Sequence, residues 1–223
     1  MTLLLLSLLA CGPDTTKPGD TLDGGSNDGG SSDGGSSDGG ATDPGELPAA
    51  AAARADLRLK RWRQLSLDLE TALELPGDAL CLETGLYDCR DMHVVPLGGT
   101  SVPNGLYDTI NTVAATTGLA MERFVLQACW NRAKADKALL EAGQPAVVFS
   151  HLSDPMGTSA TAEELNAQTS ELYRRLLARD PLQAELDALA GLHGTVLAEG
   201  AKNADWAVLA CFTIGTTTEA LTY

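Results

Sequence analysis

The chain has 223 residues, enough for one ordinary domain and an extension. Its 30 acidic and 15 basic residues give a formal net charge of −15, which argues against a general nucleic-acid binder, because such a protein needs a basic face to neutralise phosphates. Apolar residues make up 44% of the chain and aromatics 4%, so a core can form and is expected to be mostly Ala and Leu.

Residues 3–10 form an apolar run, Leu-Leu-Leu-Leu-Ser-Leu-Leu-Ala. A bilayer span needs about 20 such residues, so this length suits the apolar region of a signal peptide instead. The run ends in Leu8-Leu9-Ala10-Cys11-Gly12. This resembles the bacterial lipobox, in which small or apolar residues precede an obligatory Cys. No Lys or Arg precedes the run, a departure from the usual signal peptide. The resemblance implies that the Cys11 thiol receives a diacylglyceryl group and that cleavage precedes Cys11. It also implies that the new amino group is acylated with a fatty acid such as palmitate. Gly12, where Asp would favour inner-membrane retention, points to the outer membrane.

Residues 12–47 are Gly, Ser, Asp, Thr and Pro with little apolar content, and 11 of the 23 glycines lie before residue 48. Asp23, Asp28, Asp33, Asp38 and Asp43 recur every five residues. Such a stretch buries too little apolar surface to offset its ordering entropy, so a disordered tether is expected. Calcium binding is the sharper alternative. Five flexible residues span roughly 12 Å, however, too far for these carboxylates to share an ion readily. The root-mean-square reach of the tether is about 33 Å.

Residues 48–223 then form one mainly helical domain. Segment 49–75 reads as a helix with Trp62, Leu65, Leu69 and Leu73 on one stripe, ended by Pro76-Gly77. Residues 76–116 carry Gly, Pro, Thr, Asn and two Cys and read as irregular, with a short strand at His93–Leu97. Thr117 is positioned to cap a helix over 118–142 with Met121, Phe124, Val125 and Ala128 inward, stopped by Gly143. A loop over 144–160 leads to Thr161-Ala-Glu-Glu164, a capping-box pattern that opens a third helix with the stripe Leu165, Leu172 and Leu176. Glu163 and Glu164 read as charges that favour a helix start. Asp180-Pro181 is read as N-cap and first residue of a fourth helix carrying Leu182, Leu186, Leu189 and Val196. It is expected to pair with the third helix as a helical hairpin. Asn203 or Asp205 starts a fifth, with Trp206, Leu209, Ala210 and Thr213. Trp62, Trp130 and Trp206, on three helices, are expected as core anchors. The fold class is thus all-α, a bundle of about five helices with an irregular disulfide-stapled loop region.

Cys11 assigned to lipid leaves four cysteines, an even number that suits an exported domain. Of the three possible pairings, Cys81–Cys89 and Cys129–Cys211 are favoured. Gly85 allows the first pair's short loop to reverse, and the second would pin helix two to the last helix. Buried free thiols at Cys129 and Cys211 are the alternative. In the chain-entropy account the short closure contributes about 2.6 kcal/mol and the long one about 4.6 kcal/mol.

Three groups of residues carry types that could do chemistry. Cys89, Met92 and His93 gather soft ligands that suit copper. Ser150, His151 and Asp154 include the residue types of a hydrolytic triad, but adjacent Ser and His do not reach each other in triad geometry. Arg54, Arg58, Lys60, Arg61 and Arg63 could meet anionic headgroups or, more simply, pair with Asp56, Asp68 and Glu70. His93, His151 and His193 are scattered, and no haem-attachment, phosphate-loop or zincin motif occurs. No cofactor and no metal is expected.

The C-terminal part carries a second resemblance. Glu171-Leu-Tyr-Arg-Arg-Leu-Leu-Ala-Arg-Asp-Pro181, followed by Glu185-Leu186, is similar to a pattern in large secreted planctomycete and myxobacterial proteins with cytochrome-associated domains of unknown function. Asp205-Trp206 and the ending Thr216-Thr-Thr-Glu219-Ala-Leu-Thr-Tyr223 resemble their close, with Ala220 where Phe is commoner. The match covers about a quarter of the chain, and the remainder resembles small myxobacterial lipoproteins. No haem motif carries over. As packing, the pattern places Leu172, Leu176 and Leu186 inward and Arg174, Arg175 and Arg179 outward.

These readings lead to a lipid-anchored envelope lipoprotein, held to the membrane through Cys11, that acts as a non-enzymatic interaction or accessory protein. A larger envelope protein is its expected partner. The alternative is a periplasmic enzyme or redox accessory using residues 76–116 around Cys81, Cys89, Asp91, Met92 and His93.

Overall fold

A computed structural model describes residues 58–100, 105 and 115–222. All belong to the second of two units of the chain, Arg54–Tyr223. The apolar leader, Cys11, the Asp-repeat tether, Arg54 and Asp56 lie outside the described residues.

The described part is all-α. Five helices have twelve or more residues: α1 (Trp62–Leu73), α4 (Ala115–Glu141), α5 (Ala162–Leu177), α6 (Gln183–Ala198) and α7 (Asn203–Gly215). Between α1 and α4 lie two four-residue helices, α2 (Gly77–Leu80) and α3 (Cys89–Met92), and a hairpin of β1 (Leu82–Glu83) and β2 (Tyr87–Asp88). A last turn, α8 (Thr218–Leu221), follows α7.

The middle of the core is α7, whose Trp206, Ala207, Ala210, Cys211 and Ile214 are buried. A helix this apolar needs neighbours on several sides, and α4, α5 and α6 all pack on it. The Trp206 indole is fully buried and satisfies its N–H by donating to the Leu189 carbonyl at 2.9 Å. Ala120, Met121, Phe124, Val125 and Ala128 of α4 face the same core. Gly215 permits the close approach of α7 to α4, since a Cβ there would sit 2.7 Å from Val125 Cγ1.

Helix ends follow local chemistry. After α4, Gly143 is left-handed (φ 72°), and the Gly143 and Gln144 amides donate back to the Leu140 and Leu139 carbonyls at 3.0 and 2.8 Å, a Schellman closure. Thr161 and Glu164 form the reciprocal capping box expected at the start of α5. Helices α5 and α6 pack together as the expected hairpin.

Several expectations are corrected. Residues 58–61, read as helix, are extended, because Leu59 bridges Thr222 and the Lys60 amide donates to the Leu221 carbonyl at 2.8 Å. Long-range pairing outweighs helix propensity there. His93–Leu97 is a run of turns, not a strand. The Leu97, Gly98 and Gly99 amides fold back onto His93, Val95 and Val94 and satisfy the backbone locally. Thr117 lies inside α4 and donates to the Pro96 carbonyl instead of capping the helix. The N-cap of α6 is Leu182, not Asp180, for Asp180 is engaged by Arg174 at 2.7 Å and Glu185 accepts from the Leu182 amide. Leu182 is therefore exposed. Of the three tryptophans only Trp206 is fully buried; Trp62 packs on the core edge and Trp130 is exposed.

Candidate functional site

Both disulfides are present. Cys81–Cys89 closes a loop of eight residues' separation, and Cys129–Cys211 joins α4 to α7 across 82. Between Cys81 and Cys89 the chain reverses through Thr84 and Gly85, both left-handed (φ 53° and 73°), so that Glu83 lies opposite Tyr87 in the hairpin. Asp88 then caps α3 by accepting from the Arg90 amide at 2.8 Å, while the Arg90 guanidinium grips the same carboxylate. Burial pushes the Asp88 carboxyl up, but Arg90 outweighs it and holds the group below its ordinary value.

Glu83 is the hub of this lobe. Its Oε1 lies 2.5 Å from His93 Nε2 and 3.3 Å from Arg123 Nε of α4. His93 is therefore a hydrogen-bond partner of Glu83, while Asp91 and Met92 are exposed. The copper grouping of Cys89, Met92 and His93 does not assemble, because the Cys89 sulfur is bonded to Cys81 and Met92 is exposed. Among the described residues no cluster of three or more His, Cys, Asp or Glu side chains is gathered for a metal.

Ser150, His151 and Asp154 are all exposed loop residues. The loop that carries them is anchored by its backbone: the His151 amide donates to Gln168 Oε1 at 3.2 Å. Glu164, at the start of α5, accepts from Ser153 and Thr161, and these bonds lower its carboxyl to about 2. Of the basic cluster, Lys60 pairs with Asp68 at 2.8 Å and the Arg63 guanidinium lies 5.4 Å from the Trp62 ring centroid.

A groove of about 360 Å³ runs between α1, the end of α5 and α8, floored by Leu69, Ala72, Leu176, Leu177 and Ala220. Its charged rim is already paired: Lys60 with Asp68, Arg175 with Glu74 (2.8 Å) and Glu171 (2.6 Å), Glu219 with Arg179 (2.9 Å). Such a groove can take an apolar group; its Thr71 hydroxyl donates to the Leu67 carbonyl at 2.8 Å and its Lys60 amine is held by Asp68. Beside it the C-terminal motif becomes a clasp. Arg179 lies over the Tyr173 ring and binds Glu185 of α6 and Glu219 of α8. Hydrogen bonding to Arg179 lowers the Glu185 carboxyl to about 2 and also lowers Glu219. Only Arg174 of the three motif arginines is turned fully outward, because Arg175 and Arg179 each bridge two carboxylates.

The sequence reading missed the buried polar groups. Asp136, buried, accepts from the Val147, Val148 and Phe149 amides at 2.7, 3.1 and 2.8 Å, and Arg132 binds it at 2.7 Å. The other end of Arg132 donates to the carbonyls of Leu73, the last residue of α1, and of Glu74, its C-cap. Gln168 holds the Val148 carbonyl, and His193 and Asn203 pair at 2.9 Å in the loop-facing core. The signal for the first pair was position: Arg132 and Asp136 continue the inward spacing of Met121, Val125 and Ala128. No family model, curated protein or solved structure matches the chain.

Proposed function

We propose that this protein is a lipid-anchored cell-envelope lipoprotein, acylated on Cys11, that serves as a non-enzymatic interaction or accessory protein. The cysteine economy carries the reading. Four cysteines close two disulfides within the helical domain, and the fifth stands in the lipobox-like sequence Leu8-Leu9-Ala10-Cys11. Disulfides persist in oxidising compartments, which supports export. Gly12 supports the outer membrane as destination. A larger envelope protein is the proposed partner. An enzyme or redox role for residues 76–116 has weaker support, since Cys81 and Cys89 are bonded and His93 is held by Glu83.

Metabolic labelling with a fatty acid tests the anchor. The wild-type chain should take up label, and Cys11→Ser should abolish it while leaving the thermal unfolding of the helical domain unchanged. Label that persists in Cys11→Ser, or none in the wild type, contradicts the reading.

A further inference from the structure

Single exposed apolar side chains are ordinary on a protein surface, but a contiguous group of them marks a contact site. Leu86, Tyr87, Met92, Leu126 and Trp130 are 77, 57, 54, 37 and 46% exposed. The Glu83 hub ties together the elements that carry them: the hairpin with Tyr87 and Leu86 at its turn, α3 with Met92, and α4 with Leu126 and Trp130. Glu83 and Tyr87 are directly opposite across the hairpin, so their side chains leave the same face. Glu83 binds His93, the neighbour of Met92, and Arg123 of α4. Arg123, Leu126 and Trp130 follow at spacings of three and four, one stripe of that helix. One position further on, Asn131 donates to the Ala79 and Leu80 carbonyls at 3.1 and 3.3 Å, which holds this stretch of α4 against the start of the hairpin.

The result is an apolar and aromatic surface around charges that neutralise one another. Tyr, Trp, Met and Arg are the residues enriched at the centres of protein interfaces. The surroundings are acidic on balance: Asp78, Asp91 and Glu122 are exposed and belong to none of the salt bridges among the described residues, against one such base, Lys134, four residues beyond Trp130 on the same stripe. A chain of net charge −15 bearing an acidic rim is repelled by anionic headgroups and attracts a basic surface.

We infer that this face docks a protein segment presenting apolar side chains within a basic rim. The inference deepens the proposed function and rests on it for the envelope location of that partner.

The test places the photocrosslinker p-benzoylphenylalanine at Tyr87 in the full chain in its native envelope. Adducts are identified by mass spectrometry. The account expects a polypeptide adduct whose crosslinked segment is apolar with net positive charge. Trp130→Ala should lower its yield about tenfold, the scale of an interface hot spot. Asp91→Lys with Glu122→Lys should lower it several-fold. Trp130 is half exposed, so its loss empties no core, and retention of both disulfides checks the fold of each variant. The same crosslinker at exposed Leu182, at the start of α6, should give no such adduct. A lipid adduct, an acidic segment, no adduct, equal yield at Leu182, or indifference to the charge reversals overturns the inference. The mass of Cys11 in the same sample separates the two readings. An acylated Cys11 without the adduct defeats the docking face alone, and the adduct with an unmodified Cys11 defeats the anchor alone.

Discussion

The core around α7 and the lobe from α2 to α3 each contain one disulfide, but the two bonds work in different surroundings. In the core, helices of 13 to 27 residues surround Trp206, Phe124 and Ile214, so Cys129–Cys211 adds to burial that already exists. In the lobe no element exceeds four residues. Elements that short do not hold their own conformation, because a first helical turn or an isolated hairpin is marginal in water. There the order comes from Cys81–Cys89, the Asp88–Arg90 cap and the Glu83 hub, added to the burial of Leu80 and both cysteines against the core. A cross-link within packed helices governs global stability, whereas one within short elements governs whether a local surface exists.

That contrast can be broken from its strong side first. Replacing Cys129 and Cys211 together by Ser should cost up to about 4.6 kcal/mol, read in urea unfolding as one cooperative transition at lower denaturant. A second variant isolates the polar joint between α4 and the loop after it. Asp136→Ala strands three amides and leaves Arg132 buried without its anion, so a loss of about 4 kcal/mol is expected in the same assay. A loss below about 1 kcal/mol would show that water replaces the carboxylate.

Removing Cys81–Cys89 with paired Ala substitutions should cost less, about 2.6 kcal/mol, and act locally. Hydrogen exchange should quicken at residues 77–93 while α4 and α7 stay protected. Uniform acceleration across both regions would erase the contrast. The smallest effect is acid sensitivity at the helix starts. Glu164 and Glu185 have folded-state values lowered to about 2 from 4.5. Their contribution is therefore present above about 4.5 and is lost as pH falls toward 2. Thermal melts over that range should show a falling midpoint that Glu164→Gln and Glu185→Gln blunt.

The same contrast explains what could be read in advance. Long helices announce themselves by repetition: Leu165, Leu172 and the Thr161–Glu164 cap place α5 without any partner. The hairpin could not be read this way, since two residues per strand leave no alternation to count, although Gly85 and the flanking cysteines marked the reversal. Arg132 and Asp136 resemble an ordinary surface pair at a spacing of four, and their burial depends on amides eleven to thirteen residues beyond Asp136. Trp130 looked like core by residue type. It stands beside buried Cys129, yet one helical step turns it onto the outer stripe of Arg123 and Leu126. Arg179 read as outward charge because Glu219, forty residues away, could not be paired with it by pattern alone.

The most direct test of the lipid-anchored reading is the intact mass of the membrane-extracted protein, measured before and after reduction. The account predicts a mature chain that begins at Cys11, carries at least two acyl chains, and gains four hydrogens on reduction as two disulfides open. Two chains are required because one alone binds a membrane only marginally. A chain that retains Met1 with an unmodified Cys11 would contradict the account.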